Sequence, residues 1–367
     1  MSGGVDSSVT ASLLLDQGYD VMGVSLQLWE GEARDPRICS NFSGAEDVAA
    51  RLGIPHHILD FRSKFRESVV KPFAQSYLAG QTPNPCVACN QDFKLGVLLD
   101  WARDQGIQRV ATGHYARVAQ DSLTGYYSLL RGQDRNKDQS YFLFGLSQGQ
   151  LAHSLFPLGE LHKEQVRHRA RVLGLPSADR PESQDICFGD HRSLVESYAK
   201  EGELGEGEIT DRSGSVLGTH HGIHRFTVGQ RKGLGVSSPE PLYVLEIEKT
   251  SKRVLVGKKD ELGCQGHIAH SVNWIEPPEG DEILAEVQLR YRSSPVPCRI
   301  KSMGEGRSEV QFTHSFPAVS PGQAAVFYRG EQVLGGGWIE KGLQGPAVGQ
   351  SDSRTVGIVQ CVLPSRL

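Results

Sequence analysis

The chain has 367 residues, of which 38% are hydrophobic and 22% are charged, and its formal net charge at pH 7 is −4. This length favours two or three domains. No apolar run approaches the roughly 18 residues of a membrane span and no targeting pattern opens the chain, so we expect a cytoplasmic protein without a membrane partner. The negative charge argues against a uniformly basic nucleic-acid-binding protein, so any RNA contact must come from local basic patches.

Strand-like and helix-like segments alternate over the first two hundred residues. Apolar strand-like runs cover residues 21–28 and 110–115, and helix-like stretches cover 9–15, 45–52 and 95–101. This alternation predicts an α/β domain with a doubly wound parallel sheet. Folds of this class commonly bind nucleotides.

A glycine- and glutamate-rich stretch at residues 201–208 predicts the first domain boundary. Beyond it, alternating segments at 243–248 and 253–256 predict a hairpin in a small β-rich domain. Four further strands predict a second β domain, a barrel, and they cover residues 283–291, 298–301, 308–313 and 324–328. The predicted domains are 1–203, 204–265 and 266–367.

A glycine-rich loop opens the chain and leads directly into an apolar helix. It consists of Ser2, Gly3, Gly4, Val5, Asp6, Ser7 and Ser8. Glycines let backbone amides approach a ligand, and the helix dipole favours an anion, so the loop predicts a phosphate site. The alternative is a plain turn in which Ser7 caps the helix. The loop lacks the lysine of a Walker-A motif and resembles the PP-loop of enzymes that cleave ATP between its α- and β-phosphates. Such loops usually follow a sheet strand, whereas only Met1 precedes this one, so we expect either a misplaced start or a lost strand.

Seven cysteines without a secretory leader indicate free thiols, metal ligands or redox groups. Cys86 and Cys89 form a Cys-x-x-Cys pair, which fits a zinc half-site, an iron–sulfur half-site or a redox pair. The chain has no second pair of this kind, and Cys187 is the remaining candidate partner. The other cysteines are interpreted as buried or incidental thiols, and they are Cys39, Cys264, Cys298 and Cys361.

Eight motifs, in order, give the chain a specific resemblance. They are Ser-Gly-Gly-Val-Asp-Ser-Ser at 2–8, Thr-Pro-Asn-Pro-x-x-x-Cys-Asn at 82–90, Ala-Thr-Gly-His-Tyr at 111–115, Lys-Asp-Gln-Ser-Tyr-Phe at 137–142, Ile-Cys-Phe at 186–188, Gly-Gln-Arg-Lys-Gly-Leu-Gly at 229–235, Leu-Arg-Tyr-Arg at 289–292 and Pro-Gly-Gln at 321–323. In this order they resemble the tRNA 2-thiouridylases over nearly the whole chain.

The resemblance implies an ATP-dependent sulfurtransferase that adenylates the C2 oxygen of the wobble uridine of tRNA and replaces it with sulfur, releasing AMP and pyrophosphate. It implies that Cys89 is the nucleophile and that Cys187 carries a persulfide received from a sulfur-relay protein or a cysteine desulfurase. ATP, with Mg²⁺, would contact the opening loop, Leu26 and Gly113.

The same resemblance implies the tRNA contacts. Asn84, Pro85 and Cys86 would meet the target base. Further contacts would come from His114, Lys137, Asp138, Gln139, Arg290, Tyr291 and Gln323. Arg231 and Lys232 lie in a glycine-rich loop suited to phosphate approach. From the residues alone, His114 would be read as structural and the Lys-Asp-Gln run as a solvated face.

One position departs from the family pattern, because many members have aspartate where this chain has Cys86. The set Cys86, Cys89 and Cys187 resembles the three ligands of a [4Fe–4S] cluster in related tRNA thiolases. A persulfide on Cys187 with a transient Cys89–Cys187 disulfide is the competing mechanism, and both stay open. Two other function classes are alternatives: an ATP pyrophosphatase acting on a small molecule, and a non-catalytic RNA-binding or sulfur-carrier protein.

Overall fold

The computed structural model describes residues 1–29, 42–179, 186–188 and 191–344. Cys39 and Cys361 lie outside this part of the chain. Within the helices that the structure describes, none is long and apolar enough to cross a bilayer.

Helices and short strands alternate in the N-terminal part, as predicted. The α-helices are α1 (Val5–Asp16), α2 (Ser43–Leu52), α3 (Arg62–Phe65), α4 (Lys71–Leu78), α5 (Pro85–Ala88), α6 (Leu98–Asp104), α7 (Gln148–Ala152), α8 (Lys163–Val172) and α9 (His191–Ser197). The strands are β1 (Gly23–Gln27), β2 (His56–Asp60), β3 (Val110–Ala111), β4 (Ala116–Gln120), β5 (Tyr127–Arg131) and β6 (Ser154–Leu155). Segments Arg66–Val70 and Cys89–Val97 are π-helical and join the α-helices on either side.

The parallel pairing of the N-terminal strands confirms the α/β prediction. Strand β1 pairs with β2, and β3 pairs with β6, both in parallel. Among the described strands these are two separate ladders, so the parallel sheet is not one continuous ladder. The backbone of Met1 lies along β1, where it donates to the carbonyl of Val24 and its own carbonyl accepts a 2.6 Å bond from Ser25 Oγ.

The central β-rich part has four strands in the order β8-β7-β10-β9. They are β7 (Gly207–Thr210), β8 (Val216–His220), β9 (Tyr243–Glu248) and β10 (Arg253–Gly257). The predicted hairpin is β9–β10, which is antiparallel and therefore confirmed. Its apolar side chains fill a small core with Ile209 and Phe226.

The C-terminal part is a closed barrel, which confirms the second β prediction. Its strands are β11 (Gly263–Trp274), β12 (Glu282–Gln288), β13 (Val296–Gly304), β14 (Arg307–Pro317), β15 (Ala324–Arg329) and β16 (Gln332–Gln344). They pair in the order β11-β14-β13-β12-β15-β16, and β11–β16 pairing closes the ring. The predicted domain limits at residues 203 and 265 stay predictions, since strand bounds alone do not delimit domains.

The β4–β5 hairpin joins the N-terminal part to the barrel by extending its sheet. Leu129 and Leu130 of β5 pair antiparallel with Val333 and Gln332 of β16. The amide of Arg131 also donates to the carbonyl of Glu331 at 2.8 Å. The orientation of the two parts is therefore fixed by main-chain hydrogen bonds.

Candidate active site

The opening loop forms the N-terminus of α1. Gly4 is the N-cap residue and no side chain caps the helix, so the alternative of a plain turn capped by Ser7 does not hold. The hydroxyls of Ser7 and Ser8 instead donate to the carbonyl of Gly4, at 3.1 and 2.9 Å. Gly3 has φ +68°, and a Cβ there would lie 3.0 Å from the backbone of Gly44. An uncapped helix N-terminus at a glycine turn fits a phosphate group.

A buried lysine from outside the opening loop forms an ion pair with Asp6, the one carboxylate of that loop. Lys163, at the start of α8, donates from Nζ to both oxygens of Asp6 at 2.7 and 2.8 Å, and its side chain is only 9% exposed. The hydroxyl of Tyr115 donates to Asp6 Oδ1 at 2.8 Å. The opening loop has no lysine of its own, and Lys163 was not predicted from the sequence. The residue lies 157 positions away, and no local signal links the two.

Gly113 and Leu26, the two predicted nucleotide contacts outside the loop, lie in different surroundings. A Cβ at Gly113 would lie 2.9 Å from the backbone and Cβ of Asp6, so only glycine lets the end of β3 approach the loop this closely. Leu26 is on β1, half-buried against the apolar cluster that also contains Cys89. Gly113 is thus brought to the phosphate loop and Leu26 to the thiol side of the site.

The helix that carries Cys86 and Cys89 begins with a fixed cap. The Oδ1 of Asn84 accepts the amide of Cys86 at 3.2 Å, and Pro85 occupies the first helical position. At Cys89 the helix changes to the π form, which continues to Val97. π segments are rare and frequently occur at functional sites.

Cys89 and Cys187 lie in one apolar cluster. Cys89 is 8% exposed, and the half-buried Cys187 packs against the same group of side chains, which includes Phe93 and Phe188. Both are free thiols, as is the exposed Cys86. Cys264 and Cys298 are buried in the barrel core, which agrees with their interpretation as buried thiols.

Desolvation by the surrounding protein disfavours the thiolate form of both cysteines in the Cys-x-x-Cys pair. Although the Cys86 side chain is exposed in part, this desolvation raises the pKa of Cys86, an effect that the Lys94 ammonium opposes and the thiols of Cys187 and Cys89 reinforce. It also raises the pKa of Cys89, again opposed by Lys94 and reinforced by Cys187. The three thiols therefore lie within electrostatic range of one another. Among the described residues, however, no group of three or more His, Cys, Asp or Glu side chains is placed to hold a metal ion.

His114 is buried beside this site. Its Nδ1 is 2.7 Å from Thr112 Oγ1, and its ring packs edge-on to Phe156. Burial, with Lys94 as the second cause, lowers the pKa of His114 well below 6.5, so the imidazole is neutral at pH 7. The half-buried Lys94 is the second residue that sequence reasoning missed.

Several predicted tRNA contacts lie around one basic cavity of about 670 Å³ between the loop after β5 and the barrel. Lys137, Asp138 and Tyr291 line it together with Arg131 and Arg292. Asp138 is buried, and its carboxylate accepts from Arg131 at 3.0 Å and from the amide of Gly132 at 3.0 Å. This residue shapes the loop that presents Lys137.

Gln139, Gln323 and Arg290 make contacts within the protein. Gln139 Oε1 accepts the amide of Tyr115 at 3.1 Å, and Gln323 Nε2 donates to the carbonyl of Thr82 at 2.7 Å. Arg290 Nη2 donates to Ser320 Oγ at 2.9 Å and to the carbonyls of residues 228 and 318 at 3.2 and 3.3 Å. Arg290 thus bridges the central part and the barrel, and the expectation that it meets tRNA phosphate stays a prediction.

Arg231 and Lys232 are exposed on the central β-rich part. Arg231 lines a second cavity of about 350 Å³, formed by the glycine-rich turn and the segment that leads to β9. Basic side chains on an open loop are free to approach a phosphate backbone.

Comparison with known proteins matches each of the three parts of the chain to a domain family. Residues 1–191 match the model of a tRNA methyl transferase HUP domain, residues 194–258 that of a tRNA methyl transferase PRC-barrel domain, and residues 264–339 that of an aminomethyltransferase beta-barrel domain. The HUP match agrees with the parallel α/β fold and its phosphate loop.

Similar proteins extend over almost the whole chain. A tRNA-specific 2-thiouridylase from Geotalea uraniireducens is 49% identical over 352 residues, which is 93% of each chain. One from Geobacter metallireducens is 46% identical and covers 93% of this chain and 95% of the relative. A third, from Solibacter usitatus, is 47% identical and covers 93% and 98%.

Proposed function

The chain belongs to the family of tRNA-specific 2-thiouridylases, and on this premise we propose that it replaces the C2 oxygen of the wobble uridine of tRNA with sulfur. The observation that carries the proposal is that Cys89 and Cys187 lie in one cluster, and that the Lys94 ammonium is within electrostatic range of both Cys89 and Met1, which precedes the uncapped phosphate loop. A non-catalytic RNA-binding protein would have no use for this arrangement, and a small-molecule ATP pyrophosphatase would not need the thiols.

Activation of the uridine is proposed to occur at the phosphate loop. The loop amides would bind the phosphates of ATP, and Mg²⁺ would be carried by the triphosphate. Lys163 supplies the positive charge that the loop lacks, and the ion pair with Asp6 keeps it in place. The uridine O2 attacks the α-phosphorus, and pyrophosphate leaves with the electron pair of the broken P–O bond.

Sulfur transfer is proposed to proceed through two thiols. The terminal sulfur of a Cys187 persulfide forms a bond to C2, and the C2–O bond breaks as AMP leaves with its electron pair. Cys89, having lost its proton, then attacks the Sγ of Cys187, which breaks the S–S bond and releases 2-thiouridine. A dithiol must reduce the resulting Cys89–Cys187 disulfide, and a sulfur-relay protein or cysteine desulfurase must restore the persulfide.

A [4Fe–4S] cluster on Cys86, Cys89 and Cys187 is the alternative sulfur carrier. In the part of the chain that the structure describes, the donors are not placed to hold a metal ion. This placement favours the persulfide route, so no step above passes through iron. In the persulfide route Cys86 serves only as a contact of the target base.

The tRNA is proposed to bind along the basic cavity between the β5 loop and the barrel. Lys137 and Arg292 on its walls would meet phosphates, and the wobble base would reach the thiols from the Asn84 side. The reaction would take place in the cytoplasm.

The test combines tRNA nucleoside mass spectrometry with single substitutions. Wild-type protein with ATP, tRNA and a sulfur donor should form 2-thiouridine, whereas Cys89→Ser and Cys187→Ser should form none. Cys86→Ser should remain substantially active and free of iron when prepared anaerobically. A brown wild-type protein whose colour, iron and activity all vanish in Cys86→Ser would instead establish the cluster. If the wild-type protein formed no 2-thiouridine, whether prepared in air or anaerobically, the proposed function would be overturned.

A further inference from the structure

Lys94 is a half-buried cation without an acidic partner in the part of the chain that the structure describes. It lies in the π-helical segment, and none of the ion pairs among the described residues includes it. The nearest carboxylate in sequence, Asp92, interacts electrostatically with Lys64. A cation kept partly out of water without a carboxylate is costly, so this position of Lys94 points to an anion that arrives with the substrate.

The π form of the helix determines where Lys94 points. In an α-helix, residues three and four apart share a face, whereas the i→i+5 hydrogen bonds of a π segment bring residues five apart close together. Lys94 follows Cys89 by five positions, so the two share one face of the segment Cys89–Val97.

Two features of the sequence hold this register. A Cβ at Gly96 would lie 2.7 Å from the carbonyl oxygen of Gln91, so glycine permits the tight contact across the wide turn. The side-chain amide of Gln150 donates to the carbonyls of Gln91 and Leu95, both at 2.8 Å. The π segment is therefore supported by specific contacts from α7.

The surroundings of Lys94 include both halves of the site, the phosphate loop and the thiols. Its ammonium interacts electrostatically with the thiols of Cys86 and Cys89, with the ring of His114 and with Met1, which immediately precedes the phosphate loop. None of these neighbours is a carboxylate. An adenylated uridine must touch both halves, because its phosphorus comes from ATP on the loop and its C2 is attacked from the thiol side.

We propose that Lys94 is a catalytic residue whose ammonium group contacts the α-phosphate during adenylation and again as AMP leaves. This inference rests on the proposed function. In the first step the uridine O2 bonds to the α-phosphorus while pyrophosphate departs. In the second step the C2–O bond breaks and AMP takes the electron pair. Negative charge collects around the same phosphate in both steps, where a fixed cation is most effective.

The first test uses Lys94→Met and Lys94→Arg. Loss of a single preorganised charge at a reacting phosphate should lower kcat for tRNA-dependent pyrophosphate release by about 100-fold, with little change in KM for ATP. Lys94→Arg should recover much of this loss. Lys249→Met is the matched control, because Lys249 is exposed in the turn between β9 and β10 and should leave the rate unchanged.

The second test moves Lys94 without removing it. Gly96→Ala should force the helix out of the π register and reproduce the loss of pyrophosphate release. Gly149→Ala is its control, since a Cβ at this helical glycine has its nearest neighbour at 3.9 Å and fits without strain. Circular dichroism and thermal melting of all variants would show whether they fold.

The outcomes separate this inference from the proposed function. Folded Lys94→Met that releases pyrophosphate at the wild-type rate would overturn the phosphate contact, even if 2-thiouridine formation were lost. Slow release in Lys94→Met and Gly96→Ala, with rescue by arginine, would support it. Wild-type protein that releases no pyrophosphate on addition of tRNA would count against the proposed function itself.

Discussion

A buried histidine in the barrel should make the stability of this part depend on pH. His267 on β11 is fully buried, and neither ring nitrogen has a hydrogen-bond partner within the described residues. Its ring packs against Phe312 with centroids 5.6 Å apart. Burial lowers the pKa of His267 to about 3, so the folded state holds the imidazole neutral.

The sign and size of the effect follow from proton linkage. The pKa is lower in the folded state than in the unfolded state, so the stabilisation is complete above about pH 7.5 and is lost as the pH falls through 6.5 towards 3. Between pH 7.5 and 5.5 this residue should cost about 1.4 kcal/mol of the free energy of unfolding. His267→Leu should abolish this loss. At pH 7.5 it should also remove an unpartnered polar group worth about 1–3 kcal/mol, less a packing cost below about 1.5 kcal/mol.

Urea unfolding at the two pH values, followed by tryptophan fluorescence to which Trp274 and Trp338 in the barrel contribute, measures the difference. The control is His314→Gln, since His314 is exposed on β14 and should leave the pH dependence as in the wild type. If His267→Leu lost as much stability as the wild type between pH 7.5 and 5.5, the imidazole would not be the buried neutral group described here.

Three further predictions concern the site and its supports. Lys163→Met should weaken binding of a non-hydrolysable ATP analogue at least tenfold, because a charge-assisted pair at the phosphate loop is lost; an unchanged Kd in calorimetry would refute this. Gly113→Ala should lower the thiolation rate by about 100-fold, because its Cβ would lie 2.9 Å from the loop, whereas Gly149→Ala should not; equal rates would contradict the close approach. Arg290→Ala should lower the melting temperature and leave tRNA affinity almost unchanged, because the guanidinium bridges two parts of the protein. A large loss of tRNA affinity with a shallower salt dependence and an unchanged melting temperature would instead place Arg290 at the tRNA interface.

Most of the fold could be predicted from the sequence because the signals for these elements are local. Alternating runs predicted the hairpin β9–β10 and the barrel strands β12 to β15. Strands β11 and β16 were missed. In β16 the three consecutive glycines, Gly335 to Gly337, interrupt any apolar alternation. The β4–β5 hairpin was also missed, and no local signal could show that β5 pairs with β16, some two hundred residues downstream.

The site was predicted where residues stand in motifs and missed where they do not. The loop and the thiols were recognisable because each motif is contiguous. Lys163 and Lys94 carry no such signal, because the first acts through an ion pair between distant helices and the second depends on a change of helix type. Register changes from α to π depend on contacts such as the one from Gln150, which no local pattern reveals.

The main-chain ladder between β5 and β16 has a consequence for how this enzyme can vary. Backbone hydrogen bonds do not depend on which side chains the paired residues carry, so sequence drift along either strand should leave the angle between the two parts unchanged. The distance from the basic cavity to the thiols should then be constant. A tRNA would be accepted when the distance from its anticodon stem to its wobble base matches this distance, and the allowed mismatch would depend on how far the β-sheet can bend.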